Sequence, residues 1–117
     1  MKVAIITVNF NGKKDTLEFL ESLNKLKTEN YELKTIVVDN ASSDGSVSEI
    51  KKQFPNVDIL QTGVNLGFAG GYNKGIDYAK IWGADYYLLV NNDCVIKDEN
   101  LILQLIETAK SDPKIGL

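Results

Sequence analysis

Val3-Ala4-Ile5-Ile6-Thr7-Val8 opens the chain as a nearly unbroken, largely β-branched run, and Asn9-Phe10-Asn11-Gly12 turns it polar in one step. An apolar run of strand length without alternation reads as a strand covered on both faces, which is the environment of a parallel sheet. The rest of the chain repeats that unit. Asn11 can cap a helix whose Leu17, Leu20, Leu23 and Leu26 recur every three residues on one face. Leu33 to Val38 is a second strand ending at Asp39. Ser43 or Asp44 then caps a short helix to about Phe54, which Pro55-Asn56 breaks. Val57 to Leu60 is a third strand, and a glycine-rich segment, Gly63 to Gly75, runs into a helix ending near Trp82-Gly83. Tyr86 to Val90 is a fourth strand. A last helix spans about Asp98 to Lys110, with Leu101, Ile102, Leu105, Ile106 and Ala109 in a stripe. Strands alternating with helices make this an α/β chain with a mainly parallel sheet.

Composition agrees with one globular domain over residues 1–117. The chain is 44% apolar and 25% charged, with a net charge of −3 and its two signs interspersed, so it lacks the basic footprint of a nucleic-acid binder. The single cysteine, Cys94, allows no internal disulfide and reads as a small buried apolar residue. With no histidine, any metal must be held by oxygen, which points to Mg²⁺ or Mn²⁺ rather than zinc. Asn40-Ala41-Ser42 matches a glycosylation pattern and is read as chance. Residues 3–8 are too short for a signal core or a membrane span, so no transmembrane segment is expected and the expected location is the cytoplasm, at the inner face of the membrane if membrane-bound. Ile115-Gly116-Leu117 resembles the opening of a further strand, which suggests a piece of a longer protein.

Ligands of parallel α/β sheets sit beyond the carboxyl ends of the strands. That rule selects Thr7-Val8-Asn9-Phe10-Asn11, Asp39-Asn40-Ala41-Ser42, the glycine-rich segment, and Asn91-Asn92-Asp93. Polar loops with Asn and Asp are also ordinary turn formers. Two carboxylates at one sheet edge, Asp39 and Asp93, shift the balance toward a site, because like charges there require a cation or hydrogen bonds. Gly70, Gly71 and Gly75 fall inside a helix, where each costs about 1 kcal/mol relative to alanine. The usual compensation is close backbone approach to a strand or a ligand. Trp82 and Tyr72 read as packing residues.

Val37-Val38-Asp39-Asn40-Ala41-Ser42-Ser43-Asp44-Gly45-Ser46, then Asn65-Leu66-Gly67-Phe68-Ala69-Gly70-Gly71-Tyr72-Asn73-Lys74-Gly75, then Asn91-Asn92-Asp93 together resemble family 2 glycosyltransferases of the GT-A fold. Their rhamnosyltransferase-like branch is the most similar. The resemblance implies a three-layer αβα fold with strand order 3-2-1-4, and inverting transfer of a glycosyl group from a dTDP-, UDP- or GDP-sugar to a glycan or lipid-linked acceptor. It assigns Thr7, Val8 and Asn9 to the nucleoside pocket, Asp39 to the base or ribose, and Asn65, Gly71 and Asn73 to the ribose and sugar side. Asn91, Asn92 and Asp93 occupy the position of the family's Asp-x-Asp motif, so Asp93 would bind a divalent Mn²⁺ or Mg²⁺ and the diphosphate. Asn91 and Asn92 stand where many relatives are acidic, which leaves Asp93 as the only carboxylate of the motif. The general base of the family follows the metal motif, and Asp98 and Glu99 read as helix-start acids. This chain is therefore expected to supply the donor half, to be inactive alone, and to carry apolar surface that a homodimer could cover.

Two other α/β readings remain. A receiver-type signalling module needs an acidic pair after the first strand, where this chain has Asn9 and Asn11, and an acceptor Asp after the third, where it has Thr62-Gly63. A nucleotidyltransferase needs a basic glycine-rich loop after the first strand, and Asn11-Gly12-Lys13-Lys14 is a faint echo of one.

Overall fold

In a computed structural model, residues 1–111 form four strands and four helices in strict alternation. These are β1 (Lys2–Asn9), α1 (Lys13–Leu23), β2 (Glu32–Asp39), α2 (Ser46–Gln53), β3 (Asp58–Gln61), α3 (Gly67–Trp82), β4 (Tyr86–Leu89) and α4 (Leu101–Ser111). All pairings are parallel and the strand order is β3-β2-β1-β4, as expected. Asn9 pairs with Asp39, and Asp39 with Gln61, so three strand ends finish level at one edge. The order reverses between β1 and β4, which opens a crevice beside β1.

Side-chain alternation along β1 builds two cores. Val3 and Ile5 pack with Phe19, Leu20, Leu23, Ile50, Ile102 and Ile106 from α1, α2 and α4. Ala4, Ile6 and Val8 pack with Ile36, Val38 and Ala79 under α3. The three-layer αβα arrangement follows, because a parallel strand is apolar on both faces and needs a cover for each. Trp82 is a packing residue in the second core, with the Lys2 and Lys34 ammonium groups each 5.2 Å from its ring centre. Among the described residues, no helix is long and apolar enough to cross a membrane.

Several local readings are corrected. Gly12, not Asn11, is the N-cap of α1; Asn11 sits at φ 51 and turns its amide oxygen to the Ser43 backbone N–H. Gly45 occupies the cap of α2 at φ 82, while Asp44 just before it accepts the Ser46 N–H. The last helix starts at Leu101 because the Asp98 carboxylate closes a turn onto the Asn100 N–H first. Helix α1 ends at Leu23; Leu26 stays buried through a tighter turn in which the Leu26 N–H reaches the Leu23 carbonyl. Cys94 is exposed, since it closes a turn that leaves the sheet. Ile115-Gly116-Leu117 lies outside the described residues.

Glycine in α3 answers a steric demand of the sheet. A Cβ on Gly75 would lie 2.4 Å from Ile6 Cγ2 and 3.2 Å from Val38 Cγ2. A Cβ on Gly71 would lie 2.9 Å from Val8 Cγ2 and 3.2 Å from the Asn40 amide nitrogen. Helix propensity alone would favour Gly75→Ala by about 1 kcal/mol, but a methyl forced into a packed face costs about 1–3 kcal/mol. The clash wins, so Gly75→Ala should unfold at lower urea than the wild type, by an amount that equilibrium denaturation resolves.

Candidate functional site

The carboxyl edge of the sheet is organised by two polar residues that the fold has buried. Asn9 is fully buried and Asp39 is 2% exposed. The Asn9 amide nitrogen donates to Asp39 Oδ1 at 2.8 Å and to the Ser42 hydroxyl at 3.2 Å, and its oxygen accepts the Thr16 hydroxyl at 2.7 Å. Asp39 further accepts the Ser42 hydroxyl at 2.7 Å and the Ser42 N–H at 2.9 Å. The Ser42 hydroxyl in turn accepts the Asn11 N–H at 2.9 Å. Loops that leave β1 and β2 are thereby stitched together without any ligand.

A second set of bonds ties these loops to α3. Asn40 is 1% exposed; its amide donates to the Gly67 carbonyl at 2.9 Å. Asn65 closes the turn before α3 by accepting the Gly67 N–H at 2.9 Å. Buried and bonded in this way, Asn40 is a structural link, consistent with its glycosylation pattern being fortuitous.

Asp44 joins two helix starts. It accepts the Lys13 N–H at 3.1 Å and the Ser46 N–H at 2.9 Å, and it also takes the Ser46 hydroxyl. Partial burial pushes the Asp44 carboxyl up, but the bonds from Ser46, Lys13 and its own amide outweigh burial and hold it below the ordinary carboxylate range.

On the β4 side, the Cys94 N–H donates to the Asn91 carbonyl at 3.2 Å, closing a turn with Asn92 and Asp93 at its centre. Asn91 and Asp93 are exposed, while Asn92 is partly buried and donates to the Thr16 hydroxyl at 3.0 Å. The Tyr72 hydroxyl donates to the Val90 carbonyl at 3.0 Å. Burial, then the charges of Cys94 and Asp93, push the Tyr72 phenol up, so it stays a neutral donor at physiological pH.

Two clefts open on this edge. One, of about 420 Å³, is lined by Phe68, Tyr72, Asn91, Asn92 and Asp93. A smaller one, of about 120 Å³, is lined by Val8, Phe10, Asn40, Asn65, Gly67 and Phe68. Phe68 stands between them, 69% exposed, and Phe10 is 49% exposed. A larger depression over α1, lined in part by Leu17, Glu21, Gln53 and Val95, lies away from these residues.

The structure sorts the sequence-selected residues into two groups. Val8, Asn65, Asn91, Asn92 and Asp93 line the clefts. Thr7 and Asn9, expected at a pocket wall, have fully buried side chains because their positions on β1 face α1, opposite Val8. Asp39 keeps one acceptor position after its three bonds. Gly71 is buried against Val8 and Asn40, and Asn73 is exposed on α3. Sequence reading missed Gly12 and Thr16, and gave no role of their own to Phe10 and Phe68 within the stretches it selected. The aromatic pair left a signal, a phenylalanine set among Asn and Gly at a strand or helix end; Thr16 left none.

An Mg²⁺ or Mn²⁺ ion takes oxygen ligands. The turn offers the Asp93 carboxylate beside the amide oxygen of Asn91, and among the described residues no three acidic, His or Cys side chains converge. This donor set suits a hard cation but is too small to hold one without the oxygens of a diphosphate and water.

A four-stranded parallel αβα sheet with its clefts at the switch point is also what glycosyltransferases of the GT-A class show. The mannosyltransferase PcManGT of Pyrobaculum calidifontis, solved with GDP-Man and Mn²⁺, superposes over 97% of this chain and 33% of its own with a TM-score of 0.82, at 19% identity. S. aureus TarS in complex with UDP-GlcNAc superposes over 95% of this chain and 32% of its own at 0.78, with 22% identity. Both likenesses are likenesses of fold. The sequence profile of glycosyl transferase family 2 matches residues 4–117, and the chain belongs to that family. N-acetylglucosaminyl-diphospho-decaprenol L-rhamnosyltransferase of Mycobacterium tuberculosis is 29% identical over 96% of this chain, which spans 38% of that relative's length.

Two outcomes test the frame of the site. Asp39→Asn places an amide N–H₂ where three donors converge, and the loss should be about 1.5–3 kcal/mol in urea denaturation. Asp44 contributes stability that is complete above the ordinary carboxylate range and lost as pH falls through its lowered folded-state value. The stability gap between wild type and Asp44→Asn should therefore be wide near about pH 7 and shrink as pH falls below the ordinary carboxylate range, measured as urea midpoints.

Proposed function

We propose that this chain forms the donor side of an inverting, metal-dependent glycosyltransferase that takes a nucleoside-diphosphate sugar. The observation that carries the reading is the Asn91–Cys94 turn, which presents an exposed carboxylate at the switch point beside an aromatic-flanked cleft. Support comes from the family and from two solved relatives of this fold, described with GDP-Man and with UDP-GlcNAc.

In this reading the smaller cleft takes the nucleoside. Phe10 and Phe68 offer faces to a base, a contact that is sequence-tolerant and worth about 1–3 kcal/mol per base in nucleic-acid binding. Asp39 offers its remaining acceptor position to the base or ribose, and Thr7 and Asn9 support the rim from beneath. Asn65 and Asn73 border the ribose and sugar, and Gly71 lets α3 lie close enough to β1 to shape that side. Asn91 and Asp93 hold the diphosphate and its cation, and Tyr72 closes the cleft wall. When bound, the cation neutralises charge that develops on the diphosphate leaving group.

Transfer with inversion also needs a base for the acceptor hydroxyl. Asp98 closes a turn and Glu99 pairs with Lys27 at 3.2 Å, and neither lines the two clefts. The base is expected outside the described residues, and the acceptor is proposed to be a glycan or a lipid-linked saccharide, the latter in line with the diphospho-decaprenol in the mycobacterial relative's name.

Titration calorimetry with UDP, dTDP and GDP, each with and without Mn²⁺, tests this. Wild type should bind one of them better with metal, and Asp93→Asn should remove at least a tenfold gain, about 1.4 kcal/mol. Absence of binding even at about 1 mM ligand, the level of a 4 kcal/mol interaction, would sink the reading.

A further inference from the structure

We propose that Thr16 is a positioning residue for the Asn91–Cys94 turn, acting through Asn92, and that its hydrogen-bond polarity requires an amide rather than a carboxylate at position 92. The proposal rests on the donor-site reading above for what the turn presents, and on geometry alone for how it is held.

The polarity of the contacts can be worked out from one end. The Ser42 backbone N–H can only donate, and it donates to Asp39. With Asp39 as the acceptor, Asn9 must turn its amide nitrogen toward Asp39 and its oxygen toward Thr16. The single proton of the Thr16 hydroxyl goes to that oxygen, at 2.7 Å. What Thr16 can offer on its far side is a lone pair, so its partner there must be a donor. The Asn92 amide nitrogen fills that place at 3.0 Å. An aspartate at 92 would bring a lone pair against a lone pair in a partly buried contact whose Thr16 side has no exposed surface.

Sterics agree with this assignment. A Cβ on Gly12 would lie 2.6 Å from the Asn92 amide nitrogen and 3.2 Å from the Asn9 amide oxygen, so the first turn of α1 is hollowed to admit Asn92. A second tether follows on the same helix: the Ile96 N–H donates to the Ser22 hydroxyl at 2.9 Å, and Ile96 is buried. Between the two tethers, residues 93–95 stand exposed. One central side chain of the turn is therefore drawn inward to Thr16, and the other, Asp93, is turned out to the cleft.

Four variants test this in the full chain: Thr16→Ser, Thr16→Val, Asn92→Asp and the double change Thr16→Val with Asn92→Asp. Each is measured for urea stability, for affinity to the best-bound nucleoside diphosphate with and without Mn²⁺, and for affinity to the matching free nucleoside. Thr16→Ser keeps the hydroxyl and should stay within about twofold of wild type throughout. Thr16→Val and Asn92→Asp should each lose about tenfold of the Mn²⁺-dependent gain, with free-nucleoside affinity nearly unchanged. A role confined to folding would not separate the two ligands. In stability, the double variant should cost little more than the worse single one, because both break the same bond. Additive losses, a stronger Mn²⁺ response in Asn92→Asp, or a wild-type response in Thr16→Val would overturn the proposal. Asn92 is only partly buried, so Asn92→Ala carries the binding test if Thr16→Val does not fold. If wild type binds no nucleotide, the donor-site reading fails, and the additivity of the stabilities still decides the tether.

Discussion

A buried amide at the end of a buried strand governs this molecule. Asn9 terminates β1, a strand with neighbours on both sides and helices on both faces, so its polar atoms have no water to turn to. An unsatisfied polar group in that position costs about 1–3 kcal/mol. The protein satisfies it from three directions: Asp39 and Ser42 from the β2 loop, and Thr16 from α1. Those three bonds set where the β1 and β2 loops lie, and through Thr16 they reach the turn after β4. The carboxyl edge of the sheet is consequently a pre-formed frame.

This frame explains how a chain with so little charge at its candidate site can still present a defined one. Asp39 faces inward to three donors, whereas Asp93 faces outward. The two carboxylates that the sequence sets at one sheet edge are thus handled differently: one accepts hydrogen bonds from the protein, the other stands exposed in a cleft. The glycines of α3 contribute on the opposite face. By removing Cβ atoms over Ile6 and Val8, they let the helix start, with Phe68, sit close to the sheet and form a wall shared by two clefts.

Much of the fold was legible in the residues. A nearly unbroken apolar run at residues 3–8 and the run Ile36-Val37-Val38, each closed by Asn or Asp, carry the parallel sheet because such strands need cover on both faces. Glycine clustering within a helical stretch announced close packing, and Gly75 against Ile6 is that contact. Helix starts were read less well. Asn11, Ser43 and Asp98 all have capping chemistry, but glycine at 12 and 45 took two of the caps; the Asn11 side chain reached the Ser43 N–H instead, and Asp98 closed a turn of its own. Cys94 looked like a core residue by type and is exposed, because its place in a turn outweighs its preference for burial.

By itself, then, the sequence determined the element order, the parallel sheet and its two apolar cores, and the edge at which chemistry would gather. These follow from periodicity and residue type, which are local properties. Tertiary structure alone decided which polar residues line the clefts and which face one another. Asn9 and Thr7 were indistinguishable from pocket residues until the pleat of β1 turned them toward α1, and Thr16 had no mark until folding set its hydroxyl between Asn9 and Asn92. Hydrogen bonds between residues 76 positions apart leave no periodicity to read; they exist because a buried donor or acceptor must find its partner wherever the fold supplies one.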